Sequence, residues 1–217
     1  MPNRAAIPVF FGFDFQVNAA IVLMIENIRE LTSLKLESEN EDIDLTLKSG
    51  AHILAQAKSV ENSSNDFSHV RRNMRKSLIS LSEGYRRLEE KKTTVDKLIF
   101  VTNSPNPFGE KTMSNAFYGP SHRDFITLPE SCRKFISDCL VALDNPLEPD
   151  KLMVQVVPFE TDNEHERYKV VMQTINDFVG DLNIDAPGLG RKLHTVWCHD
   201  IFKNGSKHKS HIKQYKT

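Results

Sequence analysis

The chain has little cysteine and little glycine, and neither residue forms a pattern that marks a known chemistry. Its 217 residues include three cysteines, an odd number without a CxxC pair, so neither a disulfide framework nor a zinc site is indicated. The nine glycines form no Walker-type phosphate loop, which argues against ATP hydrolysis by this chain. Cysteines without a disulfide or zinc-binding pattern are typical of proteins in the reducing cytoplasm, where we expect this protein to act.

Long hydrophobic segments are also missing from the sequence. No apolar run approaches the ~20 residues that a membrane span needs, and the first residues have no signal-peptide pattern, so we expect no membrane partner. With 39% hydrophobic and 26% charged residues, the chain fits one folded domain. The net charge of -1 argues against a protein that coats nucleic acid but permits a local basic surface.

The charges that are present are concentrated in separate segments. Acidic residues gather at Glu37, Glu39, Glu41, Asp42 and Asp44. Basic residues gather in residues 71–76, in residues 86–92 and in the C-terminal tail. An acidic pocket flanked by basic surface suits a metal site that must also hold DNA.

Residues 41–58 predict two antiparallel strands joined by a turn at Lys48-Ser49-Gly50. In the first strand, Asp42 and Asp44 alternate with apolar residues and so share one face. In the second strand, the same alternation places Gln56 and Lys58 on one face. A carboxylate pair can therefore face a glutamine and a lysine.

This set of side chains suits cleavage of a phosphodiester, which needs a hard divalent cation held by oxygens and a cationic group beside the attacking water. Asp42 or Asp44 can supply the anionic oxygen. Gln56 can supply an amide oxygen, and Ala57 a main-chain carbonyl. Lys58 can orient or deprotonate the water. The same residue types are also ordinary on the wet face of a hairpin, and spacing alone leaves both interpretations open.

Two predicted helices flank the hairpin. Asp14 is a good N-cap for a helix over residues 16–31, which places Gln16 in a first turn whose free N–H groups favour a phosphate or a metal-bound water. Simple capping or solvation by Gln16 is an equal alternative. Apolar residues at helical spacing predict the second helix over residues 66–90. Its outer face carries candidate DNA-backbone contacts, or else a merely solvated surface: Arg71, Arg72, Arg75 and Lys76.

The remaining segments complete an α/β domain. They predict a strand over residues 95–102, a loop over 104–130, a helix over 135–143, a strand over 152–157 and a helix over 168–182. We assign residues 1–185 to the domain and residues 186–217 to a C-terminal extension or basic tail. His194, Cys198 and His199 lie close together there, but too few ligands have the spacing of a metal site.

Several segments together resemble the PD-(D/E)xK nuclease superfamily, on the Mrr-like branch where glutamine replaces the second acid. Asp42 and the triplet Gln56-Ala57-Lys58 carry this resemblance. More narrowly, the chain looks like the nuclease domain of CBASS effector endonucleases and the nuclease subunits of Lamassu anti-phage systems. The segments that carry this likeness are Gly12 to Gln16, Glu41-Asp42-Ile43, Phe100 to Asn103, Pro158-Phe159-Glu160 and Arg167-Tyr168.

The resemblance implies a Mg²⁺-dependent DNA endonuclease, with Mn²⁺ as a possible substitute. The implied fold is a restriction-endonuclease-like core of helix, three-stranded meander, helix and strand, with added helices. The family places its acid just before the apolar strand, which selects Asp42 and leaves Asp44 as an auxiliary ligand or a bystander. The implied catalytic set is Asp42, Gln56, Lys58 and Gln16, and the implied metal ligands are Asp42, Gln56 and Ala57, with Asp44 undecided.

The resemblance also implies partners. They are double-stranded DNA, further copies of the chain in an active homo-oligomer and, for a Lamassu-type subunit, an SMC-like ATPase. Family effectors usually carry a sensor domain that 217 residues cannot contain, so we expect a stand-alone subunit or an excised domain. The alternative function is a nuclease-like module that binds DNA or protein without catalysis.

Overall fold

The fold is a mixed six-stranded sheet with helices on both faces, as described by a computed structural model for residues 6–60, 67–119, 121–143, 146–160 and 163–205. The helices are α1 (Ala6–Glu26), α2 (Phe67–Glu90), α3 (Glu130–Val141), α4 (Glu164–Arg167), α5 (Lys169–Asp181) and α6 (Leu189–Gly205). The strands are β1 (Leu31–Leu36), β2 (Ile43–Leu47), β3 (His52–Lys58), β4 (Val95–Thr102), β5 (His122–Asp124) and β6 (Leu152–Val156).

The sheet combines an antiparallel meander with a parallel half. Its strand order is β1-β2-β3-β4-β6-β5. The pairs β1–β2 and β2–β3 are antiparallel, whereas β3–β4 and β4–β6 are parallel. The helix α2 makes the crossover from β3 to β4 that a parallel pair requires. The predicted α/β class and the predicted order of helix, three strands, helix and strand are therefore confirmed.

Each face of the sheet has its own hydrophobic core, because side chains alternate along the strands. Ile53 and Ala55 of β3 pack on the side of α1, α5 and α6. Leu54 packs on the opposite side, with α2 and α3. Gln56 and Lys58 share the face of Leu54 by the same alternation, as the sequence predicts.

The first helix differs most from its prediction. It begins at Ala6 rather than residue 16 and ends at Glu26 rather than residue 31. Asp14 is therefore not an N-cap but a mid-helix residue, and its carboxylate accepts hydrogen bonds from Tyr168 and Asn18. The capping signal was wrong because this aspartate serves a tertiary contact. Gln16 consequently lies far from the free N–H groups of a first turn.

Helix α1 also corrects the expectation about hydrophobic length. Residues Pro8–Glu26 are long and apolar enough, by length and composition, to cross a membrane. In the fold, 56% of this stretch is buried inside the protein. The apolar character of α1 matches its position between the sheet and the helices α5 and α6.

Two segments contain more regular structure than the sequence indicates. The predicted loop over residues 104–130 includes two 3₁₀ turns and the edge strand β5. Within the predicted C-terminal extension, α6 packs against α1, α5 and β1, and Trp197 and Ile201 contact the core on that face. Part of the predicted extension is thus joined to the domain core, whereas residues 206–217 lie outside the described residues.

Candidate active site

The candidate site lies at the end of the β2–β3 hairpin opposite its turn. The antiparallel register pairs Asp44 with Leu54, and its continuation brings Asp42 opposite Gln56. Gln56 Nε2 donates a hydrogen bond to Asp42 Oδ2. Lys58 Nζ lies 3.3 Å from the same oxygen, and Lys58 is 37% exposed. Three residues predicted from strand alternation therefore meet at one carboxylate.

Gln16 joins this group from α1, although not for the predicted reason. Its Nε2 donates to the main-chain oxygen of Asp42 at 3.0 Å and to Glu37 Oε1 at 2.8 Å. The Gln16 side chain is 6% exposed. Its position depends on the packing of mid-helix α1 against the sheet rather than on a helix N-terminus.

Glu37 is a site neighbour that the sequence interpretation missed. It ends the β1 edge in a left-handed conformation, with φ of 48°, and its N–H donates to the main-chain oxygen of Asp42 at 2.8 Å. That backbone conformation is uncommon for a residue with a side chain and marks a fixed turn. The only sequence signal was the membership of Glu37 in the acidic segment.

Asp42 experiences opposing electrostatic influences. Burial raises the pKa of its carboxyl, and the Lys58 ammonium lowers it in part. The Glu37 carboxylate raises the pKa further, and a backbone hydrogen bond from Ala57 lowers it. A buried carboxyl with one adjacent cation and one adjacent anion favours the approach of a further positive charge.

Glu41, directly before Asp42, was also missed as a site residue. It is 5% exposed, and its Oε1 is buried with no hydrogen-bond partner among the described residues. Its Oε2 accepts from the Asp42 N–H at 3.2 Å. Burial raises the pKa of the Glu41 carboxyl to about 7, and a hydrogen bond from Ser80 on α2 opposes that rise.

Asp44 points to a different group of residues. Its Oδ1 lies 2.6 Å from His52 Nδ1, and its Oδ2 accepts a hydrogen bond from Asn40 Nδ2 at 2.8 Å. Both carboxylate oxygens are thus engaged away from Gln56 and Lys58. This arrangement favours the bystander alternative for Asp44.

Asn103 at the end of β4 positions the chain that follows Lys58. Its amide nitrogen donates to the carbonyls of Val60 and Phe159, both at 2.9 Å, and its amide oxygen accepts from the Val60 N–H at 2.8 Å. Because β3 and β4 pair Lys58 with Thr102, this clamp lies beside the lysine. A polar residue at the end of a buried strand was the available sequence signal.

The four candidate DNA-binding residues of α2 lie on two flanks rather than in one stripe. The guanidinium groups of Arg71 and Arg75 lie 4.8 and 5.6 Å from the Phe135 ring centroid, and Arg71 also pairs with Glu110. The other two, the exposed Arg72 and Lys76, precede Ser80 at steps of four residues. They therefore follow the helix ridge that leads to Glu41.

No ready-made cluster of three or more His, Cys, Asp or Glu side chains that could hold a metal occurs among the described residues. His194, Cys198 and His199, where the sequence predicts no metal site, all lie in α6. A cation beside Asp42 would instead need a mixed set of carboxylate, amide and carbonyl oxygens.

Comparisons with known proteins add a structural likeness. No protein-family model matches the chain, and no curated protein matches it. Among solved structures, the chain is similar to Acinetobacter baumannii Cap4, described as a SAVED/CARF-domain containing receptor with the cyclic trinucleotide 3'3'3'-cAAA. The identity is 14% and the TM-score 0.49, over 89% of this chain and 41% of that chain. The chain thus spans less than half of that receptor's length.

Proposed function

We propose that this chain is a divalent-cation-dependent DNA endonuclease with a PD-(D/E)xK-type core. The observation that carries the proposal is the convergence of Gln56 and Lys58 on one oxygen of Asp42. Phosphodiester hydrolysis requires an anionic oxygen for a cation and a positive group near the reacting phosphate, and this convergence supplies both. A module that only binds has no need for that combination.

The donor atoms around Asp42 fit a hard cation such as Mg²⁺ or Mn²⁺. Asp42 offers a carboxylate, and Ala57 offers a main-chain carbonyl. Gln56 turns its amide nitrogen to Asp42, and rotation about its last side-chain bond would present the amide oxygen instead. Glu41, whose Oε2 accepts from the Asp42 N–H, has a further carboxyl oxygen without a hydrogen-bond partner among the described residues.

The chain's own residues would position the reactants around such a cation. When bound, a divalent cation polarises the phosphoryl group and makes water a better nucleophile at neutral pH. The ammonium of Lys58 is exposed enough to hold the attacking water or a phosphate oxygen and to balance developing charge. Gln16 fixes the Asp42 main chain from α1, which keeps the carboxylate in place.

We propose that double-stranded DNA is held mainly through its phosphates. Arg72 and Lys76 provide cationic groups on the ridge of α2 that leads to the site. Contacts of this kind fix the position of a duplex but carry little base information. We therefore expect cleavage with little sequence specificity.

The biological role that we propose is that of an effector nuclease in bacterial anti-phage defence, which rests on the sequence resemblance described above. A nonspecific nuclease that was always active would destroy its own cell's genome, so activity must depend on assembly or on release from a partner such as an SMC-like ATPase. A double-strand break needs two sites on opposite strands, most simply from a two-fold dimer. Light scattering alongside a cleavage titration tests this, because constant specific activity from a strict monomer would exclude it.

Nicking of supercoiled plasmid tests the catalytic proposal. We expect nicking with Mg²⁺ or Mn²⁺ and none with EDTA. Lys58→Met should abolish nicking, whereas Lys48→Met, at the turn end of the same hairpin, should retain it. Equal nicking by Lys58→Met and the wild type would exclude this site. A protein that binds DNA but never nicks it would support the binding-module alternative.

A further inference from the structure

Glu41 combines deep burial with an unsatisfied oxygen. The side chain is 5% exposed, and its Oε1 has no hydrogen-bond partner in the described part of the chain. A carboxylate in this situation is costly, and buried charges in proteins are generally paired or coordinate a metal. The structure therefore contains a buried carboxyl oxygen, Glu41 Oε1, that no hydrogen bond satisfies among the described residues.

The loop that carries Glu41 is held firmly in place. Ser38 Oγ accepts hydrogen bonds from the Asn40 and Glu41 N–H groups at 3.0 and 3.1 Å. From α2, Arg87 Nη2 donates to the Asn40 carbonyl at 2.8 Å. Gly84 allows this close approach, because a Cβ at that position would come within 2.6 Å of the Asn40 oxygen. The burial of Glu41 is thus a built feature of the contact between the loop and α2.

The neighbouring carboxylates are engaged in other ways. Glu37 accepts from Gln16, and Glu39 pairs with Lys91 at 2.6 Å. Asp44 is held by His52 and Asn40, as described above. Glu41 is therefore the acid of this segment that combines burial, a free oxygen and direct contact with Asp42.

We propose that Glu41 is a second carboxylate ligand of a divalent cation bound beside Asp42, in the role that the sequence left undecided for Asp44. This inference rests on the proposed cation-dependent function of the same site. The cation would satisfy Oε1 and remove the cost of the buried charge. Asp42, Glu41 and the amide oxygen of Gln56 would then be the side-chain donors.

Direct measurement of Mn²⁺ binding, by calorimetry or by Mn²⁺ electron paramagnetic resonance, tests this role without requiring activity. We expect Glu41→Gln to weaken the Mn²⁺ Kd by about tenfold or more, since even residues that only support metal ligands commonly contribute that much. Glu39→Gln is the matched control on the same loop and should keep the wild-type Kd. The metal-free Glu41→Gln protein should melt no lower than the wild type, because it loses a buried charge.

The outcomes separate this inference from the proposed function. A wild-type Kd in Glu41→Gln, or no Mn²⁺ binding by the wild type, would overturn the ligand role, while plasmid nicking would still report on the nuclease. Mn²⁺ binding that depends on Glu41 in a protein that never cuts DNA would overturn the nuclease and leave the ligand role standing. If Glu41→Gln does not fold, Glu41→Asp retains the charge at shorter reach and should also weaken binding. Loss of folding in both variants would make Glu41 a structural residue and overturn the proposal.

Discussion

Two regions of the protein each contain a partly buried aspartate with a raised pKa, yet they differ in how its oxygens are satisfied. At Asp14, burial raises the pKa, and hydrogen bonds from Tyr168 and Asn18 together with Arg167 oppose the rise. The partner distances are 2.8 Å from Tyr168, 3.0 Å from Asn18 and 3.9 Å from Arg167. At Asp42, Gln56 and Lys58 contact a single carboxylate oxygen, and the adjacent Glu41 has an oxygen with no hydrogen-bond partner among the described residues.

The Asp14 region connects three helices. Asn18 Oδ1 lies 2.8 Å from His194 Nε2, and Cys198 Sγ lies 3.3 Å from the same nitrogen. In a catalytic triad, one ring nitrogen of the histidine faces the nucleophile and the other faces the orienting residue. Here Cys198 and Asn18 both contact the same nitrogen of His194, so the three side chains do not form a triad. Burial also raises the pKa of the Cys198 thiol to about 11, which keeps it protonated. The region links α1, α5 and α6 as a structural network.

The comparison shows that burial of an acid does not by itself identify a functional site. Burial is the largest cause of the raised pKa in both regions. What distinguishes the Asp42 region is an unsatisfied carboxylate oxygen nearby and an exposed ammonium group. Under the proposed function, these features would serve a bound cation and a phosphate.

The two regions should differ most in their effect on DNA cleavage. We expect Asp42→Asn to lower the rate of plasmid nicking by at least about a hundredfold, since it removes the anionic centre of the site. Asp44→Asn, two residues along the same strand, should cut near the wild-type rate. Matched melting temperatures must accompany the rates. Loss of cleavage in Asp44→Asn but not in Asp42→Asn would reverse our assignment of the two aspartates.

The complementary change in the Asp14 region should affect stability and spare cleavage. Tyr168→Phe removes the hydroxyl that donates to Asp14, a loss worth about 1.5–3 kcal/mol for a hydrogen bond to a charged group. The melting temperature should fall by about 5 °C, and the specific activity of the folded protein should not change. Thermal unfolding and nicking on the same sample measure both. A nicking defect without a change in melting temperature would contradict the structural role.

The pH dependence of stability should differ when Glu41 is neutralised. The folded-state pKa of Glu41 is about 7 against an ordinary value of 4.5, because the carboxyl is buried. Folding thus favours the protonated form, so this contribution to stability is full below pH 4.5 and is lost as the pH rises to about 7. The Glu41→Gln variant has no titratable group at this position, so it cannot lose this contribution to stability as the pH rises. The melting temperature of the metal-free variant should rise relative to the wild type across that range, and a pH-independent difference would refute this assignment.

The smallest expected effect concerns the two flanks of α2. Arg72→Gln with Lys76→Gln should reduce the slope of log Kd against log salt for duplex DNA by about two. Arg71→Gln with Arg75→Gln should reduce it less, because these arginines are engaged with Phe135 and Glu110. Fluorescence anisotropy on two unrelated duplexes measures both pairs. Equal slopes for the two double variants would show that DNA contacts both flanks.

Much of the fold and the centre of the candidate site could be predicted from local sequence patterns. Strand alternation correctly placed Gln56 and Lys58 on one face and Ile53 on the other. The apolar spacing predicted α2 within one residue of its observed bounds. These predictions hold because the periods of strands and helices are properties of the backbone itself.

The roles of the other polar groups follow from the packing of distant segments against one another. Asp14 has the residue type of an N-cap, but its partner Tyr168 comes from the distant junction between α4 and α5. Glu41 is buried because Gly84 lets α2 pack closely against the loop that carries it. Asp44 pairs with His52 and is therefore engaged away from Gln56 and Lys58. Sequence alone determined which side chains share a face, since that depends on neighbours along the chain. Which acids are paired and which one keeps a free oxygen depends on contacts between distant segments, which no local pattern encodes.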